Sequence, residues 1–324
     1  MPLLFLVNPH AGGRLGRAVA ARLAWALGRR GLVPERDFRI EFTRPGETAR
    51  QAAEAAGRVP VVVAVGGDGT VLEVIRGLVA GGGRAALGVV SLGTGNDFAR
   101  SVGVYRPIGR LGRRHLEWSC DVLLAGRLAP VDLLEVNGQL LFASYLSFGV
   151  DAQAACAFER LRRRLPGRLF DSTLANKALL ALLGLRCLRG GLPSGVRLSV
   201  ASPGGPLEPV ALPPRLKTLI VSNGRYYGGG SRLAPWAGLA DGRFEVTAVP
   251  GTLRFLALLL TRLRVVPVQA RWWPRPPAWQ AARAVIEPAG AAAFQVDGED
   301  ATGALAGQAR LDVRVGGRLS VVVP

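Results

Sequence analysis

The chain has 324 residues, 49% of them hydrophobic, which suits one large or two ordinary globular domains and excludes a disordered chain. Its formal charge of +18 is carried almost wholly by arginine, with Lys177 and Lys217 the only lysines, and it calls for an anionic partner such as a membrane surface, a nucleic acid or a phosphorylated substrate. Cys120, Cys156 and Cys187 have neither the count nor the spacing of a disulfide framework or zinc site, so a reducing compartment is expected.

The first third alternates strand and helix. Leu3–Val7, Pro60–Val65 and Leu87–Leu92 are short apolar runs, the pattern of parallel strands buried on both faces. Between them Leu15, Val19, Leu23 and Ala26 recur at helical spacing, Glu47–Ala56 is rich in helix formers, and Val71–Ala80 follows Thr70 as a third helix. This order predicts an α/β domain over residues 1–119, a doubly wound, mostly parallel sheet, ending in an arginine-rich connector near Ser119. Pro2–Val7 runs directly into a glycine turn rather than a secretory signal, and a cytoplasmic location is expected.

From residue 120 to 324 the texture turns to β. Val131–Val136 and Gln139–Leu146 flank Asn137-Gly138, a strong hairpin signal. Further strand-like runs are Leu216–Val221, Phe244–Val249, Ala284–Glu287 and Phe294–Val296. Leu311–Val315 and Leu319–Val323 read as two closing strands around Gly316-Gly317, able to pack back on the first domain. A β-sandwich-like domain is predicted, with helical insertions at about 154–190 and 251–265 and loops at 191–214 and 274–277. Leu174–Leu188 and Leu253–Val268, the most apolar later stretches, fall short of the roughly 20 apolar residues that span a bilayer.

Each strand of the first domain runs into a glycine-rich turn before a helix: Asn8-Pro9-His10-Ala11-Gly12-Gly13, then Gly66-Gly67-Asp68-Gly69-Thr70, then Gly93-Thr94-Gly95-Asn96-Asp97. In an open α/β sheet these turns converge at the carboxyl edge. Glycine admits a phosphate close to the backbone, and the helix behind it offers free N–H groups, so the three turns describe a polyphosphate cradle. Neither a G-x-x-x-x-G-K-[ST] loop nor a G-x-G-x-x-G fingerprint is present. Asp68 would repel phosphates unless Mg²⁺ stood between them, although an aspartate also simply favours turns. With only His10 and His115, a His-rich metal site and a Ser-His-Asp triad are both excluded.

Gly66–Thr70, Gly93–Arg100 and Asp297-Gly298-Glu299 resemble the diacylglycerol kinase catalytic-domain superfamily, in particular its bacterial soluble lipid kinases, which are similar to sphingosine kinases. The resemblance also takes in Asn8-Pro9, Phe142 with Ser147–Ala152, Gly228–Gly230, Ala234-Pro235 and Asp241-Gly242. It implies two domains with the active site in the cleft between them, and ATP and Mg²⁺ as cosubstrates. Nucleotide phosphates would be held by Asn8, Pro9, Gly12, Gly66, Gly67, Asp68, Gly69, Thr70, Gly93, Thr94, Gly95 and Asn96. Glu73 matches a family carboxylate on the following helix, and Asp97 and Arg100 match a polar cluster near the cleft. Asp297 matches the general base, with Glu299 beside it, and Asp68 and Asp241 match metal positions, Asp241 that of a second, structural Mg²⁺. Leu72 and Ser144 stand where the family commonly has asparagine, and Trp236, Ala237 and Gly238 offer no side-chain oxygen ahead of Asp241.

The expected activity is transfer of the γ-phosphate of ATP to a lipid hydroxyl, diacylglycerol-like or sphingoid-like. An NAD kinase-like enzyme or a catalytically idle ATP- or lipid-binding regulator are the alternatives. Phe158–Arg164, Leu174–Leu188 with Lys177, Arg186 and Arg189, and Trp272, Trp273 and Trp279 among Arg271, Arg275 and Arg283 are candidate contacts with an anionic membrane, which the protein would visit peripherally during catalysis. The same residues equally suit core packing. No nucleic-acid motif accompanies the positive charge, so no nucleic-acid partner is expected, and a homodimer is compatible with the resemblance.

Overall fold

A computed structural model describes residues 2–106, 113–165, 167–170, 173–192, 195–260, 276–289, 293–305 and 307–324. Arg271, Trp272, Trp273 and Arg275, and the end of the second predicted helical insertion, lie outside them. The chain divides into two compact units, chiefly Met1–Val131 with Arg318–Pro324, and Asp132–Phe170 with Leu174–Gly317.

The first unit runs β1 (Leu3–Val7), α1 (Ala11–Arg14), α2 (Gly16–Gly28), β2 (Phe38–Phe42), α3 (Thr48–Ala55), β3 (Val61–Gly66), α4 (Asp68–Ala80), β4 (Ala86–Ser91), α5 (Asp97–Ser101) and α6 (Arg113–Ala125). Its strands lie in the order β2-β1-β3-β4, all parallel. The apolar runs of β1, β3 and β4 are buried along their whole length, whereas β2, with sequence FRIEF, is the partly exposed edge. Ser119 lies inside α6. Helix α2 packs with α6 and α3 with α4. The second pair touches almost backbone to backbone: a Cβ on Gly77 would fall 2.1 Å from the Ala49 carbonyl oxygen. The strand order reverses between β1, which leads out to β2 on one side, and β3, which leads to β4 on the other. Ligands of open α/β sheets bind at the carboxyl ends beside such a reversal.

The chain continues through β5 (Arg127–Val136), β6 (Leu140–Phe142), β7 (Tyr145–Gly149), α7 (Val150–Arg164), a 3₁₀ turn at Gly167–Phe170 and α8 (Thr173–Cys187). Next come β8 (Arg197–Ala201), β9 (Glu208–Val210), β10 (Leu216–Ser222), β11 (Tyr226–Tyr227), β12 (Ser231–Arg232), β13 (Phe244–Pro250) and α9 (Thr252–Leu260). It ends with β14 (Ala278–Ala281), β15 (Arg283–Glu287), β16 (Phe294–Val296), β17 (Glu299–Asp300), α10 (Thr302–Leu305) and β18 (Leu311–Val323). In the second unit β14-β13-β10-β7-β16-β17 form one antiparallel sheet, and Leu311–Arg314 of β18, then β15, β8 and β9, pair antiparallel in that order. Asn137 and Gly138 turn the β5–β6 hairpin with φ of 52° and 67°, as their sequence predicts.

Two expectations are corrected. The closing residues form one continuous strand, not two around Gly316-Gly317. Gly316 serves close packing rather than a turn, because a Cβ there would come within 2.5 Å of the Glu135 side chain. Leu311–Arg314 pair with β15 in the second unit, and Val321 pairs in parallel with Leu87 of β4 in the first. The stretch 191–214, expected as loop, contains β8 and β9, whose pairing gives an ordered role to residues with little apolar periodicity.

Candidate active site

The three glycine turns of the first unit meet. Asn8, at the end of β1, donates from Nδ2 to Thr70 Oγ1 at 3.0 Å, and its Oδ1 accepts the His10 N–H at 2.9 Å. Behind it Gly12, Gly13 and Arg14 all have left-handed backbone, with φ of 62°, 73° and 67°. Glycine accommodates that conformation without the Cβ strain that other residues incur. The second and third turns touch backbone to backbone: a Cβ on Gly93 would lie 2.6 Å from Gly67 Cα, and one on Gly66 would lie 2.5 Å from Thr70 Oγ1. Asn96, itself left-handed, closes the third turn by accepting from Gly93 N–H at 2.9 Å and donating to the Gly93 carbonyl at 2.6 Å. Thus Asn8, Gly66, Gly67, Asp68, Thr70, Gly93 and Asn96 are brought together. Pro9 and Gly12 stand on the β1 turn, and Gly69 and Glu73 on α4. Thr94 and Gly95 lie in the β4 turn, and Arg100 donates from Nε to the Gly95 carbonyl while its guanidinium sits 3.6 Å from the Tyr105 ring centroid.

Asp68 links the second and third turns. Its Oδ2 accepts the Asn96 backbone N–H at 2.6 Å. Burial first, and then the Asp97 charge, push the Asp68 carboxyl up to about 7, while backbone N–H groups of Asn96, Phe98 and Asp97 pull it back. A Cβ on Gly95 would stand 2.7 Å from Asp68 Oδ2 and 3.9 Å from Asp97 Oδ2, so both carboxylates face this glycine. Two hard-oxygen donors in mutual repulsion, Asp97 buried and Asp68 half-buried, suit Mg²⁺, which binds through one or two carboxylates and completes its shell with phosphate oxygens and water. Asp68 and Asp97 are therefore the residues that could hold it.

In the second unit Asp297 and Gly298 form a two-residue turn between β16 and β17, with φ of 50° and 89° and Val296 paired to Glu299. The turn aims the buried Asp297 carboxylate at the start of β7. There Oδ1 accepts from the N–H groups of Ser144 at 2.9 Å and Tyr145 at 2.7 Å, and Oδ2 from Ala143 at 2.9 Å. Asp297 therefore serves the hairpin turn and ties it to residues 143–145. Glu299 is exposed on β17. Asp241 is exposed too; its Oδ1 accepts from Arg243 N–H at 3.1 Å and its Oδ2 from Gln280 Nε2 at 3.5 Å. Among the described residues no group of three or more His, Cys, Asp or Glu could hold a metal ion.

Two acidic centres of the second unit, half-buried Asp151 and buried Glu245, were not singled out as sites from sequence. Asp151, in the first turn of α7, accepts from Ser147 Oγ, Thr218 Oγ1, Tyr227 Oη at 2.6 Å and Gln295 Nε2 at 2.9 Å. Its place inside Ser147–Ala152 was the available signal. Glu245 stands on β13 opposite Ser222 of β10 and Gln280 of β14. Burial, then the Asp241 charge, push its carboxyl up to about 7. The period-two pattern of β13 gave no signal, because every residue of that strand is buried.

The chain is similar to known proteins along most of its length. The diacylglycerol kinase catalytic domain matches residues 2–136, and the diacylglycerol kinase accessory domain matches residues 141–300. The chain belongs to the diacylglycerol kinase family. That family consists of phosphotransferases with an alcohol group as acceptor. A protein named "Probable lipid kinase YegS-like" in Pseudomonas aeruginosa PAO1 is 32% identical over 253 residues, 76% of this chain and 72% of its own. The Bacillus subtilis "Diacylglycerol kinase" is 30% identical over 205 residues, 63% of this chain, and the match spans 60% of that relative's length. A solved diacylglycerol kinase structure from Bacillus anthracis str. Sterne shares the fold, with TM-score 0.65 and 19% identity over 100% of this chain and 97% of that one. Among the described residues no helix is long and apolar enough to cross a membrane.

Proposed function

We propose that this family member is an ATP- and Mg²⁺-dependent lipid kinase. It transfers the γ-phosphate of ATP to a hydroxyl of a diacylglycerol-like or sphingoid-like lipid, working from the cytoplasm. The observation that carries this reading is the backbone contact of the Gly67 and Gly93 turns with Asp68 and Asp97 facing Gly95. A phosphate chain laid along those turns would find glycine clearance, N–H donors and two carboxylates able to hold Mg²⁺, which neutralises phosphate charge when bound. The lipid oxygen attacks the γ-phosphorus as the bond to the ADP oxygen breaks, and the hydroxyl proton passes to a carboxylate. Asp297 is the residue assigned to that proton, oriented by the three N–H groups of 143–145.

The test is to incubate the purified chain with γ-labelled ATP and Mg²⁺ in separate reactions with diacylglycerol micelles, sphingosine micelles and NAD. Label in one lipid and none in NAD is the expected result. Label in NAD alone would assign the chain to soluble-substrate kinases instead.

A further inference from the structure

Some surface arginines are matched by acids. Arg50 pairs with Glu47 and Glu54, Arg283 with Asp312, and Arg314 with Glu135. One concave site in the second unit gathers basic side chains without an acid among its lining residues. A cavity of about 420 Å³ is lined by Arg189, Arg215 and Lys217, with Gly251 and Thr252 at the start of α9 and no acidic residue in its wall. Among the described residues neither Arg189 nor Arg215 forms an ion pair, and both are exposed. Lys217 is fixed in place: its Nζ donates to the carbonyls of Leu188 at 2.7 Å and Gly190 at 2.6 Å, and an ammonium has a third donor. The walls are tied together as well. Gly251 N–H donates to the Arg215 carbonyl at 3.0 Å, and Leu192 N–H to the Leu216 carbonyl at 2.9 Å. Helix α9, nine residues long, begins at this cavity and adds the partial positive charge of its first turn.

Exposed apolar side chains stand close in the chain to the cations. Leu253, next to Thr252 in the chain, is 83% exposed, and Leu182 and Leu185, in the turns of α8 leading to Arg189, are 56% and 57% exposed. Large leucines left in water on the segments that lead into a cationic cavity forgo burial at a surface that only meets solvent. A bilayer satisfies both, with phosphate in the cavity and acyl chains against the leucines.

We propose that this cavity binds the phosphate headgroup of an anionic phospholipid at a bilayer surface, with Leu182, Leu185 and Leu253 entering the interface. The site is read without nucleotide, so its test is independent of the proposed catalysis. The full chain is mixed with vesicles of phosphatidylcholine, with or without phosphatidylglycerol, and sedimented. Wild type sediments with the phosphatidylglycerol vesicles. Arg189→Glu/Arg215→Glu loses about tenfold or more in partitioning. Arg58→Glu, a single charge reversal at an exposed arginine of the first unit, changes it by less than about twofold. Leu253→Ser, with all charges kept, weakens binding severalfold, which separates the cavity's surroundings from bulk charge. Equal partitioning of wild type and the double variant overturns the proposal, as does an equal loss in Arg58→Glu. Inorganic phosphate that raises the melting temperature of wild type but not of the double variant, with no vesicle binding by either, identifies a soluble phosphate ligand and also overturns it.

Discussion

Asp68 Oδ2 lies 2.6 Å from the backbone nitrogen of Asn96, so a side chain at the head of α4 holds the turn that opens α5. The same carboxylate is pressed by Asp97 and by burial. Its position therefore serves the fold while its charge calls for a cation. Asp68→Asn keeps an oxygen able to accept the Asn96 N–H but removes the charge. The variant is expected to fold with wild-type circular dichroism and to lose about a hundredfold or more in phosphoryl transfer. MgATP raises the melting temperature of wild type and leaves that of the variant unmoved.

The pH dependence of nucleotide binding follows from the same group. Without a cation the Asp68 carboxyl titrates at about 7, and only its ionised form holds Mg²⁺. MgATP affinity is expected to fall as pH drops through 7, with uptake of a proton on dissociation. Calorimetry in buffers of different ionisation enthalpy measures that proton. Affinity flat from pH 6 to 8 would remove Asp68 from the metal site.

Glu245 makes a stability prediction of definite sign. Its carboxyl titrates at about 7 in the fold, against the usual 4.5. Below about 4.5 it is protonated in both states and carries no penalty. Between about 4.5 and 7 only the unfolded chain ionises, so stability is lost as pH rises, reaching roughly 3 kcal/mol above 7. Glu245→Gln removes this penalty. Denaturant unfolding should show the variant more stable than wild type at pH 8 and equal to it near pH 4.

Gly93→Ala probes the contact of the two turns. The new Cβ would meet Gly67 Cα at 2.6 Å, a backbone atom that cannot rotate away. About 1–3 kcal/mol of stability is expected to be lost, with weaker MgATP binding. Thermal melts and nucleotide titration measure the two effects.

Asp297→Asn separates binding from chemistry. The amide places an NH₂ where an oxygen now accepts backbone N–H groups of 143–145, so some stability is lost along with the base. MgATP affinity, which resides in the first unit, stays within about twofold, while kcat falls about a hundredfold to ten-thousandfold.

The parallel half was legible because its strands are buried on both faces. Leu3–Val7 needs no partner to declare itself, and the turns that follow β1, β3 and β4 carry glycines at the positions where backbones meet. Edge strand β2 was missed because FRIEF has one fully buried residue. Gly316 misled because glycine required by a close approach to Glu135 has the same letter as glycine in a turn. Asp297 could be named by motif, but its three N–H partners lie more than 150 residues earlier in the chain and no local pattern announces them. Glu245 was invisible for a related reason: its burial, the larger cause of its raised titration, comes with strands β10 and β14 on either side, and only the smaller contribution, the Asp241 charge, is near in sequence.

The central claim is phosphoryl transfer to a lipid by the carboxylates assigned above. The most direct measurement is the rate of label transfer from γ-labelled ATP to diacylglycerol and sphingosine in mixed micelles, comparing wild type, Asp68→Asn and Asp297→Asn at equal folded concentration. The account predicts one labelled lipid with wild type, dependence on Mg²⁺, and loss in both variants. A labelled lipid produced equally by all three proteins, or no lipid labelled while ATP is bound, would contradict it.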